Sequence, residues 1–378
     1  MSGRWQRLYN SETTIDFVGR RWWGFGASIA ITVVAVLSLF NQGLNLGIDF
    51  EGGVAWEAPT KTSLTIDSAR TVLEDNGIDG SNAKIQTLGS GGAERIRIQV
   101  DDQTEDIRLK VQTELSKIAK VEASEVSVSS VSSSWGRSIT EKAVRALLVF
   151  FLLVSIYIAW RFEWKMALSA ILAMIHDLVI SVGVYTVFGL EVTPATVVAF
   201  LTILGFSLYD TIVVFDKVHE NTQRYSGQRV SFSDITNISM NQVLMRSLNT
   251  STAALLPVAS LLVVGSGIMG AVALQEFALA LFVGLLAGTY SSIFIATPIL
   301  ALLKEREPKF RSLVGQRSLG DEMALLRHTG APTSRRAAAS RSASTVNTGD
   351  SPQTGRELVD ATTVALSHPP RPRKKRRR

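Results

Sequence analysis

The sequence predicts a polytopic α-helical membrane protein with six transmembrane helices and one α+β domain outside the membrane. Two observations support this fold class. Long stretches carry no charged residue, and the hydrocarbon core of a bilayer requires about 20 apolar residues of each helix. Lys and Arg residues are distributed so that every short connection can be assigned to one side of the membrane. The chain has no cysteine, which excludes disulfides and thiolate metal sites.

The first apolar span directly follows Arg20 and Arg21. A cleaved signal peptide is the alternative, but this stretch is long and ends in Asn41-Gln42-Gly43 rather than in a small-residue cleavage site. The predicted apolar spans cover residues 22–40, 144–160, 166–188, 194–215, 248–264 and 272–295.

The positive-inside rule orients these spans. Basic residues precede the first span and occupy the second-to-third and fourth-to-fifth connections, whereas connections 189–193 and 265–271 have none. Both termini are therefore predicted to be cytoplasmic and the long segment after the first span to be outside. The chain divides accordingly into an N-terminus (1–21), a first transmembrane helix (22–46), an outside domain (47–140), a five-helix bundle (141–303) and a tail (304–378).

The outside domain has a hydrophobic pattern of alternating strands and helices. Strands are predicted at 53–58, 83–88, 95–100 and 125–131, and helices at 64–76 and 107–119. The order β-α-β-β-α-β is the split βαβ, or ferredoxin-like, arrangement. The domain has no His or Cys and no catalytic constellation. Contact with a molecule outside the membrane and a purely structural cap are equal interpretations.

Ionisable residues inside the spans are the candidates for chemistry, because a charge in hydrocarbon is costly and persists only where it is functional or neutralised. Asp210 lies in the fourth span and Arg246 at the cytoplasmic entry to the fifth. Burial raises the pKa of a carboxyl and a nearby arginine lowers it. A carboxyl that alternately meets and leaves an arginine would therefore bind and release a proton. A static ion pair or a hydrogen-bonded seam between helices is the alternative.

Other residues of the spans allow further expectations. Asp177, beside His176 in the third span, is either a second proton-coupling group or a carboxyl tied to its neighbour. Glu276 is expected to be an interfacial residue near the outer end of the sixth span. The spacing of apolar residues in the fourth-to-fifth loop suggests a helix on the inner membrane surface. Close helix packing is expected at Gly205, Gly284 and Gly288.

Three motifs occur in order along these spans: residues 47–53 after the first, 209–221 at the end of the fourth, and 246–251 at the start of the fifth. Together they resemble the SecF subunits of the SecDF family, over about residues 15–303. The resemblance implies that Asp210 and Arg246 match the family's intramembrane aspartate and arginine. It also implies a hinge or structural joint formed by the Asp-Phe-x-Gly-Gly element, Asp49, Phe50, Gly52 and Gly53.

The resemblance further implies an accessory subunit of the Sec preprotein translocase in the bacterial cytoplasmic membrane, which with SecD uses the proton-motive force in late steps of export. SecD, the SecYEG translocon, YajC and the exported preprotein are the expected partners. No enzyme activity, metal or small-molecule cofactor is expected. Two rivals remain open: a proton-driven exporter of small molecules, which would require a homodimer, and a scaffold that moves no protons.

The C-terminal segment 304–378 departs from the family pattern. It has 17 basic and 7 acidic residues and ends in a run of Arg and Lys. Such a composition does not fold alone, so we expect a disordered cytoplasmic tail. Contact with anionic lipid and a tail that only enforces topology are the favoured interpretations, and contact with ribosomal RNA is the alternative.

Overall fold

We analysed a computed structural model of the chain, which describes residues 12–60, 64–88, 94–268 and 272–329. In this part of the chain, six helices are long and apolar enough to cross a membrane, which confirms the predicted number of spans. The spanning segments are Arg21–Gln42, Ser133–Arg161, Trp164–Val187, Pro194–Arg224, Phe232–Gly265 and Gln275–Glu305.

One membrane helix precedes the outside domain in the chain, and the other five follow it. Two short π-helical segments, Leu261–Ile268 and Ser292–Ala296, follow the helices Phe232–Ser260 and Val272–Ser291. In chain order the elements are α1 (Arg21–Gln42), β1 (Asn45–Leu46), α2 (Ile48–Glu51), β2 (Gly53–Pro59), α3 (Ile66–Asp75), β3 (Lys84–Leu88), β4 (Arg95–Val100), α4 (Glu105–Ala119), β5 (Ser127–Val131), α5 (Ser133–Arg161), α6 (Trp164–Val187), β6 (Glu191–Val192), α7 (Pro194–Arg224), α8 (Phe232–Ser260), α9 (Val272–Ser291), α10 (Thr297–Glu305), α11 (Pro308–Arg311) and α12 (Asp321–Thr329).

The six spans fall into a central and a peripheral set. In α6, α7 and the α9–α10 span, 50%, 50% and 61% of the apolar window is buried, against 17%, 6% and 6% in α1, α5 and the α8 span. A helix that is buried on most sides occupies the centre of a bundle, whereas an exposed apolar helix faces lipid or a partner. The polar residues of the central set are therefore shielded from lipid by protein.

Close packing of the central helices depends on two of the three predicted glycines. A Cβ on Gly284 would lie 2.2 Å from Ile203 Cδ1, and one on Gly288 would lie 2.9 Å from Ser207 Cβ. Both contacts bring α9 against α7. The expectation is wrong for Gly205, because no described neighbouring atom lies within 4 Å of a Cβ built there.

The outside domain is built on a four-stranded sheet with strand order β3-β4-β2-β5, and each neighbouring pair is antiparallel. Helices α3 and α4 contribute Leu73 and Leu115 to its core, around the fully buried Trp56. The indole N–H of Trp56 donates to the backbone carbonyl of Arg108, at 3.1 Å. The element order β2-α3-β3-β4-α4-β5 follows the predicted pattern of strands and helices.

A second, parallel ladder was not predicted. Strands β1 and β6 pair Asn45 with Glu191 and Leu46 with Val192. The ladder joins the exit of α1 to the turn between α6 and α7. The first helix accordingly ends at Gln42 rather than at residue 46, and α5 begins at Ser133, within the segment 47–140 assigned to the outside domain.

The end of the bundle near the N-terminal segment differs from two expectations. The first turns of α8 do not lie on the membrane surface, because every residue from 230 to 241 is buried. Asn237 and Asn241 accept hydrogen bonds from the backbone N–H groups of Val18 and Ile15, at 3.0 and 2.9 Å. These contacts place this part of α8 beneath the N-terminal segment rather than against lipid.

Residues 304–329 also differ from the predicted disordered tail. Helix α10 runs to Glu305, and α11 and α12 follow it. Phe310, Met323 and Leu326 are buried in the same core cluster as Phe232 of α8. These three apolar residues therefore pack on the bundle despite the basic composition of the segment. Residues 330–378, with the predicted lipid-binding end, lie outside the described residues.

Candidate functional site

Asp177 lies in the centre of the bundle and is fully buried. The hydroxyl of Ser207, on α7, donates to its Oδ2 at 2.5 Å, and the hydroxyl of Ser291, on α9, donates to the same oxygen at 2.7 Å. Its Oδ1 lies 3.1 Å from Nδ1 of His176. The predicted tie to His176 is thus present, and hydroxyls from two further helices complete the surroundings of the carboxyl.

His176 extends this polar network to α1. Its Nε2 is hydrogen-bonded to the hydroxyl of Ser28. The ring of Tyr290 stacks on the imidazole with centroids 6.5 Å apart, and the Tyr290 hydroxyl donates to the carbonyl of Gly24 at 2.7 Å. A continuous chain of hydrogen-bonding side chains therefore crosses from α1 through α6 to α7 and α9.

Asp210 lies on α7 and is 8% exposed. Its Oδ2 accepts a hydrogen bond from the hydroxyl of Ser292. The carboxyl also lines a small cavity between α7, α8 and α9, which Tyr209, Thr250 and Thr289 line as well. Asp210 is thus both buried in the bundle and adjacent to a cavity whose lining includes several hydroxyl side chains.

The structure places Arg246 next to this site but does not pair it with Asp210. The guanidinium is exposed and lies 3.5 Å from the hydroxyl of Tyr209, the residue before Asp210. Among the described side chains, no ion pair joins Arg246 to Asp210. The predicted meeting of the two groups is therefore not formed in this conformation, and their roles stay predictions.

The glycine motif after α1 forms a tight joint. Gly52 and Gly53 have φ angles of +86° and +116°, which favour glycine. A Cβ on Gly52 would lie 2.6 Å from the Cα of Ser133, and one on Gly53 would lie 2.3 Å from the carbonyl oxygen of Val100. Phe50 is buried against Tyr185 and Phe200 of the bundle, and Asp49 begins the short helix α2 with Ile48. The geometry explains the two glycines; the hinge role stays a prediction.

An ion-pair cluster connects the outside domain to the bundle, and sequence reasoning missed it. Arg97 of β4 lies 2.7 Å from Glu57 of the same sheet, 2.6 Å from Glu191 at the turn before α7, and 2.8 Å from Glu276 near the start of α9. Burial by itself would lower the pKa of Arg97, but the charges of Glu191, Glu276 and Glu57 raise it above the usual range. Glu276 is thus at the outer end, as expected, but it is bound to the outside domain.

Ser207, Ser291 and Ser292 were also missed. The sequence offered one indication of these serines: the hydroxyl-bearing residues Tyr290, Ser291 and Ser292 are consecutive in the sixth span. Hydroxyl side chains in membrane helices often form hydrogen bonds to neighbouring helices. The partners were not visible in the sequence, because Ser291 and Asp177 are 114 positions apart.

These features define a class: a multi-pass membrane protein with buried carboxyls in its central helices and an α+β domain anchored at one end of the bundle. Residues 110–306 match the family described as protein export membrane protein SecD/SecF, C-terminal, and residues 37–54 match the SecD/SecF GG motif. The second match contains the Gly52-Gly53 joint. The chain therefore belongs to the SecD/SecF family, which confirms the resemblance inferred from the three motifs.

Individual relatives agree with this assignment. The chain is 46% identical over 311 residues to protein translocase subunit SecF of Streptomyces coelicolor, covering 81% of both chains. It is 41% identical over 314 residues to that of Mycobacterium tuberculosis, covering 81% of this chain and 71% of the relative. The crystal structure of SecDF from Thermus thermophilus, described as a translocon-associated membrane protein, superposes with a TM-score of 0.72 at 31% identity. That match covers 78% of this chain and 39% of the longer one.

Proposed function

We propose that this chain is an accessory subunit of the Sec preprotein translocase that, with SecD, uses the proton-motive force to promote late steps of protein export. The observation that carries the proposal is Asp210, a buried carboxyl held by one hydroxyl, with Arg246 on the adjacent helix but unpaired with it. Such a carboxyl can accept a proton without first breaking an ion pair. A proton that crosses the membrane potential supplies about 2.3 kcal/mol per 100 mV.

Asp177 and His176 are proposed as further members of the proton-coupling network. Their hydrogen bonds to Ser207, Ser291 and Ser28 extend from α6 to three other helices. Intramembrane ionisable residues that face the interior of a bundle are typical of proton pathways. The alternative for this pair is a static polar seam between helices.

The outside domain is proposed to be a ferredoxin-like domain on the extracytoplasmic side. Its strand order β3-β4-β2-β5 and its element order support the ferredoxin-like classification. The basic residues of the short connections support a cytoplasmic location for both termini. We infer that the domain contacts the exported preprotein, because it contains no catalytic constellation and is held close to the bundle by Arg97.

The absence of cysteine allows a direct test of this topology. Ser129→Cys introduces a thiol on the exposed strand β5, and Ser226→Cys introduces one in the turn after α7. In intact inner-membrane spheroplasts, a membrane-impermeant maleimide is expected to label the first variant and to leave the second unlabelled until the membrane is disrupted. Labelling of both variants, or of Ser226→Cys alone, would contradict the proposed orientation.

The partners proposed are SecD, the SecYEG translocon, YajC and the exported preprotein. In the apolar windows of the α1, α5 and α8 spans, only 17%, 6% and 6% of the residues are buried, as expected for spans that contact lipid or a second bundle. The basic end of the chain is proposed to contact anionic lipid, which attracts each Lys or Arg near the surface by about 1 kcal/mol.

The proton-carrier role is tested with Asp210→Asn, which removes the titratable group and keeps the shape of the side chain. Proton-driven export into membrane vesicles is expected to fall to the level of vesicles without this subunit, while assembly with SecD is unchanged. Asp216→Asn is the matched control, since Asp216 lies on the same helix but is exposed and pairs with Arg161 at 3.2 Å.

Two results would overturn the proposal in different ways. Wild-type export by assembled Asp210→Asn would leave the scaffold as the remaining interpretation. Purification of homodimers without SecD, together with proton-dependent efflux of small molecules, would support the exporter instead.

A further inference from the structure

Two consecutive serines on one helix hold the two buried aspartates. Ser291 and Ser292 are the last residue of α9 and the first of the following π-helical segment, and both are fully buried. Ser291 donates to Asp177 of α6 and Ser292 donates to Asp210 of α7. Successive side chains of a helix point about 100° apart, so two consecutive residues can contact two different neighbouring helices.

Each serine hydroxyl has a second acceptor on its own helix. Ser291 Oγ lies 2.7 Å from Asp177 Oδ2 and 3.2 Å from the carbonyl oxygen of Gly288. Ser292 Oγ is hydrogen-bonded to Asp210 and also lies 3.2 Å from the carbonyl oxygen of Thr289. A hydroxyl has one hydrogen, so the carboxyl and the carbonyl are alternative acceptors for it.

This arrangement suits both protonation states of a carboxyl. When the carboxyl is ionised, the serine donates to it. When the carboxyl carries a proton, it can donate to the serine oxygen while the serine donates to the helix carbonyl. The carboxyl is then hydrogen-bonded to the serine in both states. An arginine at this position would have donors only and would favour the ionised state alone.

The helix departs from α-helical geometry at Ser292. Ser292 opens the π-helical segment Ser292–Ala296, and the hydroxyl of Thr297 donates to the carbonyl of Ser292 at 2.7 Å. Single π-helical turns inside α-helices occur often at functional sites. The titratable or charged side chains beside the two aspartates are His176 on α6, Tyr209 on α7, Arg246 on α8 and Tyr290 on α9.

We propose that Ser291 and Ser292 are positioning residues that keep Asp177 and Asp210 hydrogen-bonded in both protonation states and tie both carboxyls to α9. The inference rests on the proposed function, because it explains how a proton on either aspartate acts on a single helix. The outer part of that helix carries Glu276, which binds Arg97 of the outside domain. A change in the hydrogen bonds of Ser291 and Ser292 therefore acts on α9, the helix that anchors the outside domain through Glu276.

The test uses the full chain, assembled with SecD in liposomes, and the infrared C=O band of protonated carboxyl groups. The band lost in Asp210→Asn identifies Asp210, and the band lost in Asp177→Asn identifies Asp177. Ser292→Ala is expected to shift the Asp210 band, and Ser291→Ala is expected to shift the Asp177 band. Ser292→Ala is expected to lower the proton concentration that gives half-maximal export severalfold, because a hydrogen bond to the ionised carboxylate is stronger than one to the neutral carboxyl.

Two further variants separate positioning from packing. Ser292→Thr retains the hydroxyl and is expected to restore the band and the pH profile. Ser169→Ala is the matched control, since Ser169 is a fully buried serine whose hydroxyl lies 2.9 and 3.0 Å from carbonyls of its own helix. It is expected to change neither the bands nor the pH profile.

The inference is overturned if Ser292→Ala leaves the Asp210 band and the pH profile unchanged, or if Ser169→Ala changes them equally. This result is distinct from failure of the proposed function. If Asp210→Asn abolishes proton-driven export while the serine variants behave as wild type, the proton-carrier role stands and the serine role is wrong. If Asp210→Asn exports normally, the proposed function itself is wrong.

Discussion

Carboxylates are stabilised in different ways at the two ends of α9. Near the outer end, Glu57, Glu191 and Glu276 surround Arg97 at 2.6 to 2.8 Å. About 22 Å further along the helix, at 1.5 Å per residue, Asp177 and Asp210 have serine hydroxyls as partners, with His176 beside the first.

The difference has a physical consequence. A guanidinium stabilises ionised carboxylates and resists any change in their charge. A hydroxyl can donate to an ionised carboxyl or accept from a protonated one. The outer cluster is therefore suited to hold two parts of the protein together, and the inner site is suited to change its protonation state.

Removal of the cation at the outer cluster is expected to have the largest effect on stability. Arg97→Gln leaves three carboxylates close together in a mostly buried place, and breaking such a pair typically costs about 3–5 kcal/mol. We expect a large fall in the thermal unfolding midpoint of the purified protein and faster limited proteolysis of the outside domain.

Lys84→Gln is the matched control for this variant. Lys84 also bridges the sheet to the segment after α1, since it lies 2.8 Å from Glu51, but its side chain is 38% exposed. Exposed pairs contribute at most about 1 kcal/mol. Equal effects of the two substitutions would mean that the Arg97 cluster is not a special anchor.

A double substitution tests whether the damage comes from unpaired charge. Adding Glu276→Gln to Arg97→Gln removes one of the uncompensated carboxylates, so the double variant is expected to be more stable than Arg97→Gln alone. The coupling between contacting groups is typically about 0.5–3 kcal/mol, and a thermodynamic cycle of the four proteins measures it. If the effects of the two substitutions on stability are additive, Glu276 and Arg97 do not interact energetically.

The smallest effect is expected at a lysine-bound carboxylate just after α10. Glu307 lies 2.9 Å from Lys165 and 3.2 Å from Lys304. Burial raises the pKa of Glu307, but the hydrogen bonds and charges of the two lysines outweigh burial and lower the pKa below its usual value of 4.5. The resulting stabilisation is present above that value and is lost as the pH falls through the lowered pKa.

Glu307→Gln is therefore expected to reduce stability by less than about 1 kcal/mol at neutral pH, because the side chain is partly exposed. Thermal unfolding of the variant and the wild type, compared over a series of pH values, measures the difference. The two curves should converge at acid pH; a difference that grows as the pH falls would contradict the assigned charge state.

The sequence predicted some parts of this molecule well for identifiable reasons. The length and apolarity of each membrane helix can be read from its own residues, so all six spans were predicted. The order of strands and helices around Trp56 follows from local periodicity. Asp210 and Arg246 were singled out because any charge in an apolar span is conspicuous. The prediction of Gly205 as a packing glycine failed, because composition does not say which side of a helix meets a neighbour.

The sequence by itself therefore determined the six spans, the element order of the outside domain and the presence of carboxyls in the spans, and it predicts the orientation of the spans by charge. Tertiary structure decided what those carboxyls contact. Arg97 meets Glu276 across 179 positions and Ser292 meets Asp210 across 82. It also decided that residues 304–329 pack against α8. Local sequence patterns indicate secondary-structure propensity and burial, whereas these contacts form only when distant segments pack together.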